Sequence, residues 1–321
     1  MAHYTLKDIW QLTKNTVGQF MENNSFRLAA ALAYNTIFSL PPLLLIIIAA
    51  AGAIWGEEAV SGQLESQLGS MVGADAAASI QNMIKNINQS GKGGIASTIG
   101  IGTLIFAATT FFITLQDSLN SIWNVRAKPT NNIVKILKDR FLSFGLILSI
   151  ALLMLVSLLI SAILTLFTDY LQQTFPTIAI IFIHILNIIV SLAFITFLFA
   201  LIYKYLPDAI IRWKDVWVGS FLTSLLFVIG KFLISWYIGR GDVASPYGAA
   251  GSVIIILVWI YYSSLIIFFG SEFTQQYANT FGEKIRPKPH AVEIEIREVQ
   301  HEDSDDSKAG RPKSEGRFRK E

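Results

Sequence analysis

WVGSFLTSLLFVIGKFLISWYIGRGDVASPYGAAGSVIIILVWIYYSSLIIFFGSEFTQQYA, residues 217–278, decides the fold. It is two apolar runs joined by the polar turn 239–251, and each run reaches the ~20 residues a spanning helix needs. Lys231 lies inside the first run and Glu272 near the end of the second. A charge within hydrocarbon costs from ~3 to ~17 kcal/mol depending on how it is measured, so it persists only when paired or hydrated. Outward from this pair, four more apolar runs recur. The six together predict transmembrane helices at about 29–55, 95–123, 141–167, 177–203, 216–238 and 249–278, in a membrane domain 29–281. Composition agrees: 53% of the 321 residues are hydrophobic and 15% charged, against about 25% charged in a soluble domain. The fold class expected is an all-α integral membrane protein. Cysteine is absent, which excludes disulfides, thiolate zinc sites, iron–sulfur clusters and a cysteine nucleophile.

The segments between the runs are readable too. Residues 1–28 carry Leu6, Ile9, Trp10, Thr13, Val17 and Phe20 at helical spacing, with Lys7 and Lys14 off the stripe. This is an amphipathic helix, either lying in the membrane interface or packed beneath the bundle. No cleavable signal is expected from so polar a start. Pro41 and Pro42 fall inside the first run. Two prolines remove two backbone donors, so this helix is expected to be interrupted, as a kink or as an open break. In 56–94, Ile80, Met83, Ile84 and Ile87 mark one amphipathic helix and Leu64, Leu68 and Met71 another. They predict a helical hairpin resting on the bundle or the outer leaflet. The second run is rich in Gly, Ala and Thr, the composition of a closely packed interior helix. From 282 the chain turns polar and charged, and 282–321 is expected to be a disordered tail.

Six spans place both termini on one side. Of the 25 Lys and Arg, 21 fall on that side and 3 on the other, with Lys231 inside a run. The excess of basic residues on the inner face then puts both termini in the cytoplasm.

Depth follows from helical rise. His184, Asn187 and Lys231 are expected roughly 10–15 Å below the outer surface, with Arg240 and Asp242 in the turn above them. These five residues form a candidate outward-facing pocket for an anionic group, Lys231 supplying charge and His184 a donor. The alternative is that Lys231 stretches to the headgroups and His184 is a hydrogen-bonded core residue. A second set gathers at the cytoplasmic ends: Arg27, Asn35, Asp117, Asn120 and Glu272. There Arg27 is expected to pair with Asp117 or Glu272, making either a cytoplasmic gate or a structural ion pair.

KYLPDAIIRWKDVWVG (204–219), SPYGAAGS (245–252), WIYYSSLIIFFGSEFTQQYA (259–278) and AAALAYNTIFSLPPLLL (29–45) together resemble the YihY/BrkB family of bacterial inner-membrane proteins. The chain departs at Asn35, where a second aromatic is expected, and in its long charged tail. The resemblance implies the plasma membrane of a bacterium and a part in envelope integrity or the movement of lipid precursors. The family once carried a ribonuclease label. The four histidines, His3, His184, His290 and His301, are scattered, and two-metal phosphodiester cleavage needs clustered ligands. No cofactor, metal or nucleic-acid partner is expected, and no GxxxxGK[ST] loop for a nucleotide is found.

The expected function is therefore non-enzymatic: a transporter or flippase of an amphiphilic, anionic envelope molecule, with membrane lipids as partners. The alternative is a membrane scaffold whose C-terminal tail recruits envelope proteins. An intramembrane enzyme ranks last, because no nucleophile–base pair is recognisable.

Overall fold

The computed structural model describes residues 6–72, 74–90, 94–128, 176–240 and 250–295. The expected helix at 141–167, most of the turn after Arg240 and the tail beyond 295 lie outside them. Eight helices and four very short strands are described: α1 Leu6–Glu22, α2 Ser25–Trp55, α3 Glu57–Val72, α4 Ala74–Ser90, α5 Gly94–Ile122, β1 Val125–Ala127, α6 Pro176–Tyr205, β2 Ala209–Ile210, α7 Trp213–Arg240, α8 Gly251–Phe281, β3 Arg286–Pro287 and β4 Ala291–Glu293.

Backbone in hydrocarbon must satisfy its own polar groups, and a helix does so within one segment. At 1.5 Å per residue, the 31 residues of α2 and of α8 extend about 46 Å, beyond the ~30 Å of a bilayer core. Among the described residues, four stretches are long and apolar enough to cross: Ser25–Ala49, Ile188–Tyr205, Trp213–Ile234 and Gly251–Phe281. α5 packs along α2, and Ala108, Thr109, Leu115 and Leu119 on it are fully buried, as its small-residue composition predicts.

The first membrane helix begins four residues earlier than its apolar run. Asn24 adopts a left-handed conformation (φ 53°) and separates α1 from α2, a conformation Asn tolerates better than most residues. Of the two alternatives for the N-terminal helix, the structure shows packing against the bundle. Leu12, Thr16 and Phe20 of α1 are buried, and Phe20 meets Phe269 of α8 edge to face at 5.7 Å. Ile9, Trp10, Val17 and Met21 stay exposed.

Of the two forms of interruption expected at Pro41-Pro42, the open break is not formed: α2 runs through both prolines as one helix. Pro41 and Pro42 deprive the Ile37 and Phe38 carbonyls of their usual amide donors. Around them, Thr36 Oγ1 donates to Leu32 O (2.6 Å) and Ser39 Oγ to Asn35 O (2.9 Å). Packing along α5 on one side and α8 on the other holds the helix together.

The hairpin α3–α4 forms as expected and rests on the bundle. Val60, Leu64, Ala76 and Ile80 are buried, and Ser79 Oγ donates to Ser252 Oγ at the start of α8 (2.8 Å). We call this the hairpin end.

α7 and α8 approach closely through a reciprocal Gly/Thr pair. A Cβ on Gly219 would lie 1.8 Å from Thr274 Oγ1, and one on Gly270 would lie 1.9 Å from Thr223 Oγ1. Each threonine folds back onto its own helix, Thr223 to Gly219 O and Thr274 to Gly270 O, so neither hydroxyl is stranded in the contact.

At the opposite end the chain after α8 is structured, contrary to the expectation of disorder from 282. β3 pairs antiparallel with β2 (Ala209↔Pro287), and β4 with β1 (Arg126↔Val292). Residues 282–295 thus form a strap across the ends of α5 and α6. Ile285 and Ala291 are its buried anchors. We call this the strand end.

Candidate functional site

α8 is the common wall of two contrasting places. Near the strand end, Glu272 is completely buried. Its Oε1 accepts a hydrogen bond from Asn23 Nδ2 (2.6 Å), and its Oε2 has no partner among the described residues. Trp123 Nε1 donates to the carbonyl of Ser271 (3.1 Å), fixing the end of α5 to this turn of α8. Tyr203 of α6 donates to Ile267 O (2.7 Å) and contacts Thr223 Oγ1 at 3.1 Å.

The pairing expected of Arg27 is not formed. Arg27 is exposed and makes no ion pair with a described residue. The turn at Asn24 presents Asn23, not Arg27, to Glu272, so a neutral amide takes the place of the expected guanidinium. The remaining members of that set also separate. Asn35 Nδ2 donates to Thr114 Oγ1 (3.1 Å), joining α2 to α5. Asp117 is exposed.

Asn120 belongs to a different cluster, centred on Asp208. It donates from Nδ2 to Asp208 Oδ2 (3.0 Å) and accepts from the Asp208 amide through Oδ1 (2.7 Å). Gln116 Nε2 lies 3.3 Å, and His290 Nε2 2.9 Å, from Asp208 Oδ1. The Asp208 carbonyl receives the Lys288 amide (2.9 Å). Asp208 therefore ties α5, the α6–α7 connection and the strap into one network. Burial pushes the Lys288 ammonium below its ordinary range; Asp208 opposes that shift and Lys204 adds to it. Beside it Arg212 bridges Asp215 (3.2 Å) and Glu283 (3.0 Å). The hydrogen bond that Arg212 donates to Asp215 is the main cause that raises the guanidinium further above its usual range. Neither Asp208 nor Asn23 stands out in the sequence as a site. The YLPD of the 204–219 motif is the only local sign of Asp208, whose side-chain partners lie 82 to 92 residues away.

The second place is a groove of about 560 Å³ nearer the hairpin end. It is lined by Tyr34, Ile37, Phe38 and Pro41 of α2, Met83 of α4, and Val253 and Leu257 of α8. Tyr34 and Phe38 meet edge to face at 5.2 Å and are largely exposed, leaving the groove open at the side. Ile37 is the middle residue of the apolar stretch Ser25–Ala49, so the groove lies near the middle of that candidate span.

Lys231 is half-buried on α7, without a hydrogen bond or ion pair to a described residue, and does not line this groove. The side chains of His184, Asn187 and Arg240, and the whole of Asp242, lie outside the described residues. The pocket expected of the five thus falls, apart from Lys231, outside the described residues. Among the described residues, no three His, Asp or Glu are grouped so as to hold a metal ion.

Comparison with known proteins fits a membrane protein. The family profile described as virulence factor BrkB matches residues 16–295. A UPF0761 membrane protein of Haemophilus influenzae is 26% identical over 260 residues, covering 79% of this chain and 90% of that protein. A UPF0761 membrane protein of Verminephrobacter eiseniae is 28% identical over 273 residues, 83% of this chain and 62% of its own length. One from Saccharophagus degradans is 24% identical over 266 residues, 82% and 59%. The chain thus spans nearly all of the first relative but about three fifths of the other two. No solved structure matches.

Proposed function

The chain belongs to the virulence factor BrkB family of membrane proteins, and from that premise we propose that it binds and moves an amphiphilic, anionic envelope lipid across the bacterial inner membrane. The observation that carries this reading is the groove between α2, α4 and α8, open at the side near the middle of the candidate span Ser25–Ala49. Its volume falls in the ~300–1,000 Å³ range of small-molecule sites. A groove that opens sideways in hydrocarbon is reached first by an acyl chain. In this reading both termini and the strand end face the cytoplasm, the excess of basic residues there setting the orientation. Lys231 serves the headgroup as a charge met on the way through, since it lies outside the groove. The reaction class is transfer without chemistry, and no enzymatic role is assigned.

The test is translocation of a fluorescent anionic phospholipid in vesicles reconstituted with purified protein. Leu257→Trp, which fills the groove, is expected to slow movement about tenfold, equivalent to ~1.4 kcal/mol. Lys231→Met is expected to slow anionic lipid while sparing zwitterionic lipid. Wild-type vesicles that move no anionic lipid tested would favour the scaffold reading instead. That alternative draws on the strap, which knits the strand end together.

A further inference from the structure

We propose that Glu272 is the centre of a binding site for a monovalent cation, a proton or a sodium ion, at the junction of α1, α2 and α8. The proposal goes beyond lipid movement and does not rest on it.

Six buried side-chain atoms lack a partner among the described residues: Ser25 Oγ, Ser220 Oγ, Ser263 Oγ, Ser271 Oγ, Glu272 Oε2 and Gln275 Oε1. Four of the six belong to residues within one turn of the Asn23–Glu272 contact along their own helices. Ser271 and Glu272 are neighbours on α8 with Gln275 one turn further on, and Ser25 opens α2 two residues after Asn23, which holds Glu272 Oε1. Thr16, Ser118 and Ser264 in these helices return their hydroxyls to the carbonyl four residues back. Ser271 does not, and the matching carbonyl, that of Ile267, already accepts from Tyr203. Its hydroxyl is left over because another helix has taken its usual acceptor. An unmet buried polar group costs about 1–3 kcal/mol, so four together at one junction point to a ligand.

The donors define that ligand. All four atoms are oxygens and one belongs to a carboxylate. Hard cations are bound by such oxygens, whereas softer metals prefer nitrogen or sulfur. A single carboxylate balances a single positive charge. No other charge supplies it. The charged residues on the elements packed here are Lys7, Asp8, Lys14 and Glu22 on α1, Arg27 on α2, Asp117 on α5, and Lys214, Asp215, Lys231 and Arg240 on α7, of which Lys231 and Arg240 lie toward the hairpin end, Gly230 facing Tyr262 of α8. Glu22 and Arg27 are exposed, Asp117 is exposed, and Asp215 is held by Arg212. None of them hydrogen-bonds or ion-pairs with Glu272, whose partner is Asn23. α3 and α4 meet α8 toward its other end, where Ser79 touches Ser252. Since Asn23 lies in the two-residue link between α1 and α2, occupancy of the site bears directly on how α1 is held.

The experiment follows thermal unfolding of the purified full chain in lipid nanodiscs at constant ionic strength. One arm replaces choline chloride with sodium chloride. The other lowers the pH from about 8 to about 5 while infrared difference spectra record the carboxylic C=O band. A rise of several degrees in Tm with sodium identifies sodium. A carboxylic band that Glu272→Gln removes, with a Tm rising as pH falls, identifies the proton. In Glu272→Gln the response is lost. Should that variant not fold, Ser271→Ala is expected to weaken sodium binding several-fold, or to shift the carboxylic band in the proton case. Wild-type protein with neither a sodium response nor a band assignable to Glu272 would overturn the proposal, whatever the lipid assay shows.

Discussion

Near one end of α8, Ser271, Glu272 and Gln275 sit among polar groups from α1, α2 and α5, with the Asp208 cluster close by at the same end of the bundle. Some 15 residues back along the same helix, Val253 and Leu257 face a groove of aliphatic and aromatic side chains. Both surfaces are parts of one continuous apolar helix, yet different forces set them. In lipid there is little hydrophobic gain from bringing helices together, so close packing and hydrogen bonds decide which contacts are fixed. The strand end is fixed by directional bonds that tolerate small errors poorly. The groove is held open by the shape of α2 and by the hairpin, and its walls can adjust to what enters.

That contrast breaks most severely at Asp208. Asp208→Ala removes the acceptor for Asn120, Gln116 and His290 together. With two buried amides stranded at about 1–3 kcal/mol each, the loss expected is roughly 2–4 kcal/mol. Protease sensitivity of the strap should rise with it. Asp208→Asn, which keeps one acceptor, is expected to lose less. If thermal unfolding of Asp208→Ala matches wild type, the strand end is not the rigid half.

A smaller loss is expected at the α7–α8 contact. Gly270→Ala places a Cβ 1.9 Å from Thr223 Oγ1, and relief requires the helices to part or the threonine to turn. Overpacking of this kind costs typically 1–3 kcal/mol. Adding Thr223→Ala should restore most of the lost Tm, because the obstructing hydroxyl is gone. Failure of that rescue would mean that Gly270 acts through its backbone and not through close approach.

The groove should respond least in stability. Leu257 is only partly buried, so Leu257→Trp is expected to change stability by no more than about 0.5 kcal/mol while closing the groove to an acyl chain. Photo-crosslinking of a lipid probe from position 34 should fall in the same variant. A large loss of stability would show that the groove wall is core and erase the distinction between the two halves.

The sequence shows some of this arrangement and hides the rest, for reasons of distance. Apolar runs announce α2, α5, α6, α7 and α8 because length and hydropathy are local properties. The α3–α4 hairpin is equally visible from the spacing of Leu64, Leu68, Ile80 and Ile84. Asp208 is not, since an acidic residue after YLP reads as an ordinary turn until Asn120 and His290 are brought to it from distant parts of the chain. The strap is hidden because β3 and β4 are two and three residues long, too short for alternation to register. At Asn23 a single left-handed residue, Asn24, decides that an amide and not Arg27 meets Glu272. The double proline shows the reverse: a strong local signal for a break is overridden by the packing of α2 between α5 and α8.

The gentlest perturbation tests whether the strap belongs to the rigid half at all. Lys288 is half-buried over Tyr205 and Asp208, and burial lowers its pKa from the ordinary 10.5. The folded chain therefore releases this proton more readily than the unfolded chain does. Below the lowered value the ammonium is charged in both states, and the folded state carries the full desolvation penalty. As pH rises through that value toward 10.5 the penalty disappears, so this residue makes stability increase with pH over that window. Lys288→Met removes the penalty and the titration together. Its Tm is expected to exceed that of wild type at neutral pH, with the margin shrinking as pH approaches 10.5. The margin is small, because the hydrogen bond from Lys288 Nζ to Tyr205 O, 3.3 Å long, is lost as well. A margin that does not change with pH would mean that the ammonium stays hydrated and the strap only rests on the bundle. A margin that shrinks as described would place Lys288 within the same buried network as Asp208, and so extend the fixed half of the molecule to its last described residues.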